Sequence, residues 1–234
     1  MTPCGNTLTR IVDCFDASVC SACGAETAEK HSMCSKCLDA FPFLSPPFCP
    51  LCGGENSGIF DMCLACLKQE KRPWSRGISV ARLDGVAKEM VHRLKYASDT
   101  AIARTFASLA NERFLESEMQ ADNVIPIPTH WTRRLVRGFN QVNLIAGVFS
   151  KLSSIPLSHE LKRIKPTPKQ ASLDRAARLL NLQGAFAAHK SKVKGKKILL
   201  MDDVITTGAT MTAAVSALLD AGAADVAVLS IARA

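Results

Sequence analysis

Aromatic side chains are scarce in this chain. Ten Phe, two Trp and one Tyr make up 6% of 234 residues, so any core must be mostly aliphatic. No apolar run reaches about 18 residues, and no membrane span is expected. The opening stretch, MTPCGNTLTRIVDCFD, lacks a basic start followed by an apolar segment. No signal peptide is therefore expected, and the chain is read as cytoplasmic. Acidic residues are fewer than basic ones, 21 against 29, which leaves a formal net charge of +8. With 47% apolar residues, there is material for one mid-sized core and a small appendage.

Cysteine is abundant, and a reducing compartment decides how it is read. Eight of the ten cysteines form four CxxC pairs: Cys20 and Cys23, Cys34 and Cys37, Cys49 and Cys52, Cys63 and Cys66. The gaps between successive pairs are ten, eleven and ten residues. A CxxC turn aims two sulfurs at one centre, and zinc takes four thiolates in a tetrahedron. Four pairs therefore fill two sites, the pattern of a tandem zinc ribbon. A four-thiolate site also suits iron. A disulfide scaffold is excluded in a reducing cytoplasm. Neighbouring pairs can share a site, or the first pair can interleave with the third; spacing leaves both open. Cys4 and Cys14 fall outside the pattern and are read as free thiols. Residues 20–70 carry four prolines and no periodic aliphatic pattern, so metal binding is expected to supply their folding free energy.

Past Lys71-Arg72-Pro73, taken as a boundary, apolar strand-like runs alternate with helical patterns. Strands are expected at Ile78–Ala81, Asn123–Ile127, Lys197–Met201 and Val226–Ile231. Helices are expected at Val86–Tyr96, Ala101–Phe114, Phe139–Leu152, Leu173–Asn181 and Ala209–Ala221. Such alternation means an α/β fold, a parallel sheet with helices on both faces, preceded here by a small zinc-ribbon module. The divisions read from this pattern are 1–17 as an extension, 18–70 as the cysteine module and 77–234 as the α/β domain. Ligands in such folds bind at the carboxyl ends of the strands.

One strand end carries a distinctive segment, Ile198-Leu199-Leu200-Met201-Asp202-Asp203-Val204-Ile205-Thr206-Thr207-Gly208-Ala209-Thr210. A buried strand presents two adjacent carboxylates at its tip, followed by a loop of small residues and a helix start. A helix N-terminus offers unpaired N–H groups and a positive dipole end, which hold a phosphate. Thr206, Thr207 and Thr210 add hydroxyls, and Gly208 lets the backbone approach closely. No P-loop lysine is present. The segment resembles the 5-phosphoribosyl 1-pyrophosphate motif of type I phosphoribosyltransferases. The resemblance implies that Asp202 and Asp203 engage the ribose 2- and 3-hydroxyls, directly or through magnesium. It implies that Thr206, Thr207, Gly208, Ala209 and Thr210 wrap the 5-phosphate.

A narrower resemblance follows from Ile125-Pro126-Ile127-Pro128, Arg133, Arg134 and Arg137-Gly138-Phe139-Asn140-Gln141. Pro168-Lys169-Gln170, Arg178, Asn181 and Gly184-Ala185-Phe186 extend it. Together with the four CxxC pairs, these are similar to the ComF family over roughly residues 18–234. The resemblance implies that Arg133 and Arg137 lie on the pyrophosphate side of the pocket and that residues around 168–186 form a loop over it. It also implies a role in DNA uptake during natural transformation, with the uptake machinery and single-stranded DNA as partners.

The charge pattern bears on that last point. Residues 76–234 hold 23 basic and 13 acidic residues, whereas residues 1–75 hold six and eight. The surplus of cations suits a polyanion, pyrophosphate or nucleic acid, and places DNA contact on the larger domain near Arg133–Arg137. Trp131 is a candidate to stack on a base; His92 and His130 are read as structural. Lys190, Lys192, Lys194, Lys196 and Lys197 are read as a solvated loop before a strand. No glutaminase-type N-terminal cysteine and no separate region for a nucleobase hood are found. Three readings stand: a ComF-like DNA-uptake protein with a working phosphoribosyl-pyrophosphate pocket, a phosphoribosyltransferase for a small base or amine, and a non-catalytic sensor of phosphoribosyl pyrophosphate.

Overall fold

The computed structural model describes residues 19–27, 33–68, 72–97, 99–128, 140–165, 182 and 184–234. Arg133, Arg134, Arg137, Trp131, His130, Pro168, Lys169, Gln170, Arg178, Cys4, Cys14 and the expected helix Leu173–Asn181 lie outside these residues.

Two short helices, α1 (Ser35–Asp39) and α2 (Leu64–Leu67), belong to the cysteine-rich part. The chain then runs β1 (Gly77–Arg82), α3 (Gly85–Ala97), α4 (Thr100–Glu116), β2 (Asn123–Pro126) and α5 (Gln141–Ser153). It continues as β3 (Leu161–Arg163), β4 (Phe186–Ala188), α6 (Lys190–Val193), β5 (Lys197–Ile205), α7 (Ala209–Asp220) and β6 (Asp225–Arg233). Four strands form a parallel sheet in the order β1-β6-β5-β2, and β3 and β4 pair antiparallel beside it. Part of the expected lysine-rich loop is thus the short helix α6, with Val193 turned into the core.

The central strand β5 shows why helices cover both faces. Leu199 and Met201 are buried against α3, α4 and α5, while Ile198 and Leu200 are buried against α7. Side chains alternate across a strand, so a continuous apolar run needs cover on both sides. The helix starts are locally encoded. Asp99 accepts from the N–H groups of Ala101 and Ile102 to cap α4, and Asn140 accepts from Val142 to cap α5. Such caps are worth about 1 kcal/mol.

Two differences from the expected elements bear on function. β5 runs on through Ile205, four residues beyond the expected end, so the paired acids sit inside a strand and not at its tip. The cause is β6, which extends to Arg233 and keeps the ladder paired opposite Asp202, Val204 and Ile205. On the other side β2 ends at Pro126, opposite Met201, one residue short of the expected end, and the Ile127 N–H still donates to the Met201 carbonyl.

The cysteine-rich part is docked and does not stand free. Met33 and Phe41 are buried in the same core as α3 and α4. Residues 42–44 run along β1, with Leu44 N–H donating to Val80 and Arg82 N–H donating to Pro42. A strand edge that would otherwise be open is thereby covered. Gly53 and Gly77 allow the closest approach: a Cβ on Gly53 would lie 2.2 Å from Ser79 N, and one on Gly77 would lie 2.4 Å from Leu51 O.

Candidate functional site

The eight cysteines gather into two groups, and the pairing is between neighbours. Cys20, Cys23, Cys34 and Cys37 form one; Cys49, Cys52, Cys63 and Cys66 form the other. Within each, all four sulfurs lie within 4.8 Å of one another. Sulfur separations include 3.9 Å for Cys23 to Cys34 and 3.6 Å for Cys52 to Cys63. Four ligands at about 2.3 Å from a tetrahedral centre stand roughly 3.8 Å apart, so each group can hold a metal ion. None of the eight is in a disulfide.

Each group contains one thiol biased toward the thiolate. Cys20 is brought down to about 6: burial opposes ionisation, but N–H groups of Cys23, Cys34 and Ala22 donate to its sulfur. Cys52 is drawn down to about 4 by the hydrogen bond from Cys66, against burial and with help from the Arg233 charge. Cys37 is pushed up to about 12 by burial and its sulfur neighbours, and Cys66 is raised by sharing a hydrogen bond with Cys52. Filling either group must therefore release protons.

The groups rest on different supports. The first lies over α3 and α4, where Arg93 donates to the Ala22 carbonyl and Thr105 bonds Ser21. The second lies against β1 and β6. Ser79 Oγ donates to the Cys52 carbonyl at 2.9 Å and contacts Ser230 Oγ at 2.8 Å, and Arg233 reaches the same carbonyl at 3.3 Å. Ser230 is the β6 residue opposite Asp202, so this buried pair links the second group to the acid-bearing strand.

At that strand the two acids part company. Asp202 lines a small pocket with Val204, Ile205, Thr206, Thr207, Gly208, Ala209, Thr210 and Met211. Asp203 points to the opposite face, toward α3 and α5. There it accepts from Gln141 Nε2 at 3.0 Å and pairs with Lys95 Nζ at 3.3 Å. Its backbone N–H donates to Asp202 Oδ1. Burial, and next the charge of Asp203, hold the Asp202 carboxyl well above the usual range. Gln141 is 3% exposed, and its Oε1 finds no hydrogen-bond partner among the described residues.

The loop after β5 supplies the other half of the pocket. Gly208 takes the N-cap position of α7 with φ +79°, a left-handed conformation that glycine adopts without penalty. Gly208 brings no capping side chain of its own, and Thr207 Oγ1 accepts from the Ala209 N–H at 3.4 Å; the first turn of α7, with its positive dipole end, lines the pocket from Ala209 to Met211. Of the residues singled out in the sequence, Asp202 and Thr206 to Thr210 are brought together in one pocket and Asp203 lies behind it; Arg133 and Arg137 lie outside the described residues. Sequence reasoning misses Lys95, which carries no motif of its own, and Arg72, which reads as part of a boundary. It quotes Gln141 within a motif without a role.

A parallel sheet with helices on both faces, an acid-bearing strand running into a loop and a helix start, and a pair of four-cysteine groups define a phosphoribosyltransferase-fold protein with a cysteine module. The phosphoribosyl transferase domain model matches residues 150–233. Competence protein F of Haemophilus influenzae is 30% identical over 213 residues, covering 88% of this chain and 92% of its own. The DNA utilization protein YhgH of Escherichia coli O157:H7 is 30% identical over 224 residues, covering 93% of this chain and 85% of its own. Competence protein ComFC of Bacillus subtilis (strain 168) is 33% identical over 149 residues, covering 62% of this chain and 59% of its own. The chain belongs to the ComF family. Among the described residues, no helix is long and apolar enough to cross a membrane.

Proposed function

We propose that this ComF-family chain binds 5-phosphoribosyl 1-pyrophosphate with magnesium at the β5–loop–α7 pocket and acts in DNA uptake. The observation carrying this reading is that Asp202 and the N-terminus of α7 line one pocket, with Thr206, Thr207 and Thr210 between them. A ribose 5-phosphate is an anion joined to a diol, and the pocket offers donors for the one beside an acceptor for the other. Asp202 accepts from the ribose hydroxyls, and Asp203 holds the local charge through Lys95. Gln141 supports Asp203 from the same side. The loop N–H groups and threonine hydroxyls take the 5-phosphate. Magnesium, when bound, screens the pyrophosphate charge and favours its departure; Asp202 is the carboxylate open to it.

Arg133 and Arg137 are assigned to the pyrophosphate and to single-stranded DNA on the cationic surplus of residues 76–234. The four-thiolate groups are assigned to zinc, which prefers that donor set and geometry. Zinc-bound thiolates suit a reducing compartment, which favours the cytoplasm. Calorimetry with phosphoribosyl pyrophosphate, with and without magnesium, tests the pocket. Saturable binding that weakens without magnesium is expected; no binding in either condition refutes the reading. Pyrophosphate release with a panel of bases and amines then separates transfer from binding alone.

A further inference from the structure

The second cysteine group reaches the phosphate loop through a chain of contacts that no sequence motif announces. Leu51 lies between Cys49 and Cys52, and its carbonyl accepts from Trp74 Nε1 at 2.5 Å. Trp74 is 3% exposed and belongs to the same core as Ile205, Ala209 and Met211. The Arg72 guanidinium lies over the Trp74 ring, 4.8 Å from its centroid. Arg72 is itself only 8% exposed. A Cβ on Gly208 would lie 2.6 Å from Arg72 Nη1 and 3.5 Å from the Trp74 ring. The guanidinium therefore stands directly against Gly208, the N-cap of α7, without being among the residues that line the pocket.

We propose that Arg72, which follows the cysteine module and is tied to it through Trp74, is a positioning residue for the 5-phosphate loop. A planar cation pressed between an indole and a loop glycine does two things. It restrains Gly208, the residue with the greatest backbone freedom in the loop. It also places a permanent positive charge beside the helix N-terminus, adding to the dipole where an anion docks. A charge buried to this extent acts across the few ångströms of the loop, and it also faces Cys66 of the second cysteine group. The four-thiolate group thereby becomes part of the phosphate-binding apparatus, since the Cys49–Cys52 turn holds Trp74 and Trp74 holds Arg72. The inference rests on the phosphoribosyl reading and specifies which ligand group feels the module: the 5-phosphate and not the pyrophosphate.

Calorimetry on the full-length metal-loaded chain tests it, using ribose 5-phosphate and inorganic pyrophosphate as separate probes. Arg72→Met keeps the length and packing and removes the charge. Ribose 5-phosphate affinity is expected to fall about tenfold or more, while pyrophosphate affinity stays within about twofold. Arg72→Lys keeps the charge without the flat stacking group and is expected to lose about two- to fivefold for ribose 5-phosphate alone. Equal loss for both probes means that Arg72 only maintains the fold, and overturns the proposal. Unchanged ribose 5-phosphate binding in Arg72→Met overturns it too. If Arg72→Met does not fold, Arg72→Lys decides by the same comparison of probes. A wild-type chain that binds neither probe refutes the phosphoribosyl reading itself, an outcome distinct from either failure of Arg72.

Discussion

Neutralising the two adjacent acids one at a time should move stability in opposite directions. Asp202 is confined beside a second carboxylate, and burial and that charge raise its pKa. Asp202→Asn removes an ionised group that the folded state disfavours. Single stabilising substitutions commonly yield about 0.5–2 kcal/mol. For a chain of this size, each kcal/mol moves Tm by about 2–4 °C, so Asp202→Asn should rise by about 1–8 °C. Asp203 is the reverse case: it is 7% exposed and is held by Lys95 and Gln141. In Asp203→Asn, the charged acceptor held by Lys95 and Gln141 is lost, and Lys95 keeps only the charge of neighbouring Asp202. A hydrogen bond to a charged group is worth about 1.5–3 kcal/mol, and Tm should fall by about 3–12 °C. The pH dependence separates the causes. A raised folded-state pKa means that the Asp202 penalty is absent below the unfolded value of about 3.9 and appears as pH rises through the folded value. The Tm gap between Asp202→Asn and wild type should therefore be wide at neutral pH and close near pH 4. Differential scanning fluorimetry without ligand measures both effects. Two variants that shift Tm in the same direction, or a gap that does not change with pH, would refute the opposite facing of the two side chains.

Metal analysis of purified protein should find about two zinc per chain; a value near zero in folded, chelator-free protein refutes the four-thiolate assignment. Gly53→Ala forces a Cβ into the Ser79 and Ile78 backbone at φ +66°. The left-handed strain costs about 1–2 kcal/mol and the overlap about 1–3 more, so denaturant unfolding should show a loss of about 2–5 kcal/mol; no change means the turn does not dock on β1 this closely. Single-stranded DNA should bind weakly and with steep salt dependence. Arg133→Ala with Arg137→Ala should flatten the slope of log affinity against log salt by about 1.4, at about 0.7 for each phosphate no longer neutralised, and should weaken phosphoribosyl pyrophosphate binding as well. DNA affinity that survives in this variant while phosphoribosyl pyrophosphate binding is lost separates the two ligands.

What could be read from the sequence was whatever is encoded within a few residues. A CxxC turn places its own two sulfurs, so four such turns announced eight candidate ligands without any tertiary information. The stretch Ile198–Thr210 is a strand, a loop and a helix start in immediate succession, and its local chemistry suffices to suggest an anion site. The apolar run of β5 and the helical spacing of α4 and α7 likewise follow from neighbours at most four residues apart. Contacts between distant segments carry no such mark. Which CxxC turn meets which is decided by how the first group lies on α3 and α4 and the second on β1 and β6. The length of β5 beyond Met201 depends on β6 supplying partners as far as Arg233. Asp202 and Asp203 look equivalent in the sequence, yet strand alternation within a sheet covered on both faces sends one to the phosphate loop and the other to Lys95, more than 100 residues earlier. Arg72 reads as a linker residue until the fold brings it against Gly208, because a contact spanning more than 130 residues exists only once the sheet has closed between them.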